Sequence, residues 1–98
     1  MYEILAGLQV ANDELYREYR KAMLPILKEY GGGFGYDFKV SEVLINSSGN
    51  PMNRVFTIFF PNEATSKEFF SNNDYLQIRN KYFNKSVESA TIIAAYER

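Results

Sequence analysis

Apolar and polar positions alternate from residue 3 to residue 10, with Ile4, Ala6, Leu8 and Val10 on one side and Leu5, Gly7 and Gln9 on the other. A period of two is that of a strand, and this one is apolar on most of both faces. After Val10 the period changes. Asn12-Asp13-Glu14 sets a capping amide before two acids, where the helix dipole favours negative charge. Leu15, Tyr19, Ala22, Met23, Ile26, Leu27 and Tyr30 then recur at helical spacing and define one face of a helix. Pro25 falls inside it and should kink it, and Gly31 is placed to cap its C-terminus.

A second strand is expected over residues 36 to 46, with Phe38, Val40, Glu42 and Leu44 opposite Lys39, Ser41, Val43 and Ile45. The cluster Asn46-Ser47-Ser48-Gly49-Asn50-Pro51 turns the chain into a third strand, Arg54 to Phe60. In that strand Val55, Thr57 and Phe59 share one face, and Phe56, Ile58 and Phe60 the other. Pro61 stops it, and Asn62 opens a short helix whose apolar contacts are Ala64, Phe69 and Phe70. Ser71-Asn72-Asn73-Asp74 interrupts that helix and caps a further helical piece carrying Tyr75, Leu76, Ile78, Tyr82 and Phe83. Residues 87 to 96 alternate again, Val87, Ser89, Thr91, Ile93 and Ala95 against Glu88, Ala90, Ile92, Ala94 and Tyr96. The order β-α-β-β-α-β defines an α+β, ferredoxin-like fold with a four-stranded antiparallel sheet, in one domain over residues 1–98.

Two helices cover one face of such a sheet, yet the first, third and last strands are apolar on both. An apolar patch of that extent is uncommon on a soluble monomer. The expected cover is a second copy of the chain, packed sheet to sheet as a closed homodimer.

Composition narrows the chemistry. The chain has 98 residues, a net charge of −1, and neither cysteine nor histidine. Disulfides, thiol nucleophiles and cysteine-type zinc sites are excluded, as are Ser-His-Asp triads and histidine-held haem. The charge balance gives no basis for nucleic-acid binding. No run approaches a membrane span, and the N-terminus lacks the basic and apolar regions of a signal peptide, so a cytoplasmic protein is expected. No cofactor and no metal is expected.

Tyr75 and Arg79 are four residues apart and share a helix face. They either present a phenol and a guanidinium to a ligand, or anchor and stack within the protein. Tyr19 lies on the core stripe, where its hydroxyl needs a buried partner or a pocket. Glu42, on a face with Phe38, Val40 and Leu44, would need pairing if buried, and Arg54 is the partner expected for it. Tyr36 and Asp37 are adjacent in sequence but on opposite strand faces, so they do not converge. Gly31-Gly32-Gly33-Phe34-Gly35 ends a helix and enters a strand, the reverse of a phosphate-binding loop.

Three stretches together carry a resemblance: Tyr16-x-x-Tyr19-Arg20 … Pro25 … Tyr30-Gly31-Gly32, Phe59-Phe60-Pro61-Asn62-Glu63-Ala64, and Ser71-Asn72-Asn73-Asp74-Tyr75-Leu76-Gln77-Ile78-Arg79. In order and spacing the chain resembles the DUF1330 family of the dimeric α+β barrel superfamily. The resemblance implies a homodimer whose two sheets form a barrel, with a cavity between sheet and helices, and it implies no reaction. The chain departs from the family where an arginine is usual after Tyr-Gly-Gly: Tyr36 and Asp37 stand in that neighbourhood. Candidate ligand-binding residues are therefore Tyr19, Tyr36, Glu42, Arg54, Tyr75 and Arg79. Three functions fit: a small-molecule binding protein, a cofactor-independent monooxygenase, isomerase or cyclase on an aromatic or polyketide-like substrate, and a structural or partner-binding dimer.

Overall fold

The computed structural model describes residues 1–98 and shows the expected α+β, ferredoxin-like order. Its elements are β1 (Tyr2–Val10), α1 (Asp13–Glu29), β2 (Gly33–Lys39), β3 (Arg54–Phe60), α2 (Glu63–Ser71), α3 (Asn73–Ile78), a π-helical turn (Arg79–Phe83), α4 (Asn84–Ser86) and β4 (Val87–Glu97). The strands form one antiparallel sheet in the order β2-β3-β1-β4. No helix is long and apolar enough to cross a membrane.

Asparagines start the three principal helices in the same way. The side-chain oxygens of Asn12, Asn62 and Asn72 accept from the backbone N–H of Leu15, Thr65 and Tyr75, filling donors that the first turn leaves open. At the other end of α1, Gly31 N–H donates to Lys28 O and Gly32 N–H to Leu27 O, with Gly31 at φ 73°. That is a Schellman stop, and its left-handed residue accounts for the first glycine of the run. Helix α1 continues through Pro25 without being divided.

Ile4, Ala6, Leu8 and Val10 of β1 and Ile58 and Phe60 of β3 meet Tyr16, Tyr19, Met23, Leu27, Phe69 and Tyr75 from the helices in a single core. Aromatic rings dominate its α2–α3 end. Phe69 lies 4.5 Å from Tyr75, 5.1 Å from Phe70 and 5.5 Å from Phe60, centroid to centroid, at tilted or edge-on angles that suit ring quadrupoles.

Two strands differ from expectation. Strand β2 spans Gly33–Lys39 rather than residues 36 to 46, because β3 offers only the register from Phe59 back to Arg54, and Lys39 opposite Arg54 ends the ladder. Residues 40 to 46 alternate but have no strand to pair with. They enter a long loop, closed where Val40 N–H donates to Asn53 O. Glu42 is thus exposed in that loop and shares no strand face with Phe38. Within β2 a bulge at Gly35 turns Tyr36 and Phe38 to one side and Asp37 to the other. Strand β4 carries two irregularities, passing over Glu88 and Ile93, so strict alternation fails there. Val87, Ala90, Ile92 and Ala95 pair with helix-facing residues of β1, while Ser89, Thr91, Ala94 and Tyr96 face the other way.

That other face has no helix. Leu5, Val55 and Phe59 lie on it, half-buried, beside Tyr36 and Phe38, which are 63% and 56% exposed and stacked at 5.9 Å. The loop after β2 crosses one end of it, and a side chain at Gly7 would collide with Met52. At the other end Glu3 accepts from the Tyr96 hydroxyl at 2.7 Å and from Arg98 Nη1 at 2.8 Å, and the Arg98 guanidinium lies 4.8 Å from the Phe59 ring centre.

Candidate functional site

Between the sheet and the helices a pocket of about 230 Å³ remains unfilled. Its floor is Ile4, Ala6 and Leu8 of β1, Phe34 of β2, Phe56 and Ile58 of β3, and Ala90 and Ile92 of β4. Tyr16, Tyr19, Arg20 and Met23 of α1 close it from above, with Phe70, Tyr75, Arg79 and Phe83 from the α2–α3 side. Helical spacing explains the roof: Tyr16 and Arg20 are four apart, as are Tyr19 and Met23, and Tyr75 and Arg79. The π-helical turn adds to this. Asn84 N–H reaches back five residues to Arg79 O, and the widened turn packs Phe83 5.0 Å from Tyr19 and 4.9 Å from the Arg79 guanidinium.

Few polar groups reach this apolar space, and they converge. The Tyr19 and Tyr75 hydroxyls are hydrogen-bonded to each other at 2.9 Å in a buried position. Burial pushes the Tyr19 phenol far above its ordinary pKa, with Tyr75 adding to the effect. Burial likewise raises Tyr16, against the pull of Arg20. Arg20 donates from Nε to the Tyr16 hydroxyl at 2.8 Å and from Nη1 to Asp37 at 3.3 Å. Its guanidinium stacks 3.9 Å from the centre of Phe34. The buried Nη2 of Arg20 has no hydrogen-bond partner, and the guanidinium is held instead by the rings around it.

Of the six residues singled out from the sequence, the structure gathers Tyr19, Tyr75 and Arg79 around this pocket. Tyr36 lies on the opposite face of the sheet. Arg54 does not meet Glu42. It donates from Nε and Nη2 to Asp37, at 3.1 and 3.2 Å, and from Nη1 to Asp13 at 3.3 Å. The forked bond to Asp37 holds the Arg54 proton more firmly than usual. Glu42 lines a separate open groove of about 570 Å³ between the β2–β3 loop and β4, with Val43, Leu44 and Ile45. That groove is broad and its walls Leu44 and Ile45 are almost fully exposed, so the smaller pocket, walled by the core, is the better candidate. Arg20, which the sequence offers beside Tyr16 and Tyr19 as a packing residue, and Phe34 also line the pocket, although neither is among the six. The bulge at Gly35 is what aims Asp37 at Arg20, and no periodic signal shows it.

Residues 2–96 match the family described as "Domain of unknown function (DUF1330)". The chain belongs to the DUF1330 family. No curated protein matches it. Among solved structures, this DUF1330 chain is similar to a protein of unknown function from Rhodopseudomonas palustris, at 18% identity and a TM-score of 0.83, over 99% of this chain and 81% of that one. It is also similar to a candidate antibiotic biosynthesis monooxygenase from Nitrosomonas europaea, at 14% identity and a TM-score of 0.68, over 100% and 98% of the two chains. A third is a dimeric protein of unknown function with a ferredoxin-like fold from Bacteroides fragilis, at 13% identity and 0.62, over 99% and 95%. At these identities the likeness establishes the fold. In this chain Asp37 is gripped by Arg20 and Arg54.

Proposed function

We propose that the protein binds a small, mostly apolar molecule in the pocket between sheet and helices, and that it does so as a homodimer joined through the helix-free face of the sheet. The observation that carries the binding reading is the convergence of the Tyr19–Tyr75 hydroxyl pair with Arg20 and Arg79 on an otherwise apolar space. At about 230 Å³ the pocket falls below the roughly 300–1,000 Å³ of drug-sized sites, which suits a single-ring compound. The dimer reading is supported by Tyr36, Phe38, Leu5 and Val55 lying together with no cover from the chain itself.

Amide NMR titration with single-ring acids, phenols and quinones tests the binding. Shifts clustered at Tyr16, Tyr19, Met23, Phe56, Tyr75 and Phe83 are the expected result. Saturable shifts confined to other surfaces, or none at all, would overturn it.

A second reading, cofactor-independent oxygenation, draws support from the fold shared with the candidate monooxygenase. Against it stands the lining, which contains neither an acid nor a histidine to take up a proton near neutral pH. Oxygen consumption on adding a compound that binds would favour this second reading over binding alone.

A further inference from the structure

We infer that the ligand is a small organic monoanion, an aryl or short branched carboxylate, whose charge is met by Arg79. This deepens the pocket reading above and rests on it. Every charged side chain lining the pocket is cationic, Arg20 and Arg79, and no acid faces it. Of the chain's arginines, Arg17, Arg20, Arg54 and Arg98 each hold a carboxylate. Arg79 alone pairs with none and makes no side-chain hydrogen bond, although it is half-buried. Its guanidinium sits over the Phe83 ring, which orients the plane while leaving the N–H edge free to donate. That edge matches the two oxygens of a carboxylate.

The remaining polar groups agree in sign. In the Tyr19–Tyr75 pair one hydroxyl donates to the other, and the recipient keeps an O–H with no protein acceptor. Arg20 adds the unpartnered Nη2. The pocket therefore holds spare donors and positive charge around an aromatic wall, the complement of an anionic head on an apolar ring.

Calorimetric titration with phenylacetate and benzoate against phenylacetamide and benzamide tests this, using the intact protein and Arg79→Gln. The expected result is about ten- to a hundredfold tighter binding of the acids, with Arg79→Gln removing most of that preference by weakening the acids far more than the amides. Arg79→Lys should keep part of the preference, since it keeps the charge but loses the fork. Equal binding of acid and amide, or an acid preference that survives Arg79→Gln, would overturn the inference and leave the pocket reading standing. If neither acids nor amides bind, the inference falls, and the pocket reading is decided separately by the phenols and quinones of the NMR titration.

Discussion

The two faces of the sheet carry similar side chains in opposite circumstances. On the helix side Phe60 and Phe69 are wholly enclosed and Tyr75 nearly so. On the other side Tyr36 and Phe38 stack on each other in the open. Burial is thus set by what covers a strand face and not by how apolar it is. One chain of this length supplies helices for a single face. The polar groups divide in the same way: on the helix side hydroxyls and arginines are drawn into a narrow aromatic space, whereas Glu3, Tyr96 and Arg98 gather at a margin. The covered face is closed by the helices except at its pocket and at its β4 edge, where Ile92 is 69% exposed, and the bare one has no such cover from the chain.

The largest effect that separates the faces is in the core. Phe69→Ala removes a ring packed among Phe60, Phe70, Tyr30 and Tyr75, and should cost about 3–5 kcal/mol in urea unfolding, at any protein concentration. On the bare face, Phe38→Glu should leave the unfolding of dilute protein nearly unchanged while halving the mass seen by light scattering. A charge buried without a partner at an interface costs several kcal/mol, enough to part a modest dimer. A wild-type mass near 11.4 kDa at micromolar concentration would mean that the bare face needs no cover, and the comparison would lose its conclusion. Within the covered face, Tyr19→Phe should cost about 1 kcal/mol, the net value of a typical hydrogen bond, because Tyr75 loses its only hydroxyl partner. Thermal unfolding checks it, and an unchanged midpoint would mean that the pair contributes nothing net.

What was legible in the sequence follows the same division. Strands β1 and β3 alternate and have full-length partners, and α1 carries its cap and stop in plain view, so those elements stand where the pattern puts them, although the buried stripe of α1 takes in Tyr16 and leaves Leu15 at its margin. The bounds of strand β2 slipped for two reasons. Gly33 and Gly35 add no side chain to an alternation, and Val40 to Ile45 alternate in a stretch that no partner strand reaches. Length of the neighbour, a property of the assembled sheet, decided the boundary. The bulge in β2 then flipped faces, removing Tyr36 from the site and turning Asp37 toward Arg20 beside it. Tyr75 with Arg79 was readable because a helix fixes which residues share a face. Their meeting with Tyr19, and the Arg20–Asp37 link, join residues far apart in sequence, which spacing does not report.

The smallest effect concerns the margin of the bare face. Hydrogen bonds from Tyr96 and Arg98 hold the Glu3 carboxyl below its ordinary value of 4.5, against a partial desolvation that pulls the other way. The folded protein therefore binds this proton less readily than the unfolded chain. Its contribution is fully present above the unfolded value and is lost as pH falls through the folded one. Stability measured from about pH 6 down to about pH 3 should decline, and Glu3→Gln should flatten part of that decline while lowering the plateau slightly. The change is small because Arg98 is 43% exposed and water screens the pair. If a second copy covers this face, the screening falls, and the acid limb of wild-type protein should steepen at concentrations where the dimer forms. Phe38→Glu, which parts the copies, should then show the shallower limb at every concentration. Identical acid limbs in the two proteins would place Glu3 outside any interface and confine the contact to the Tyr36–Phe38 side of the sheet.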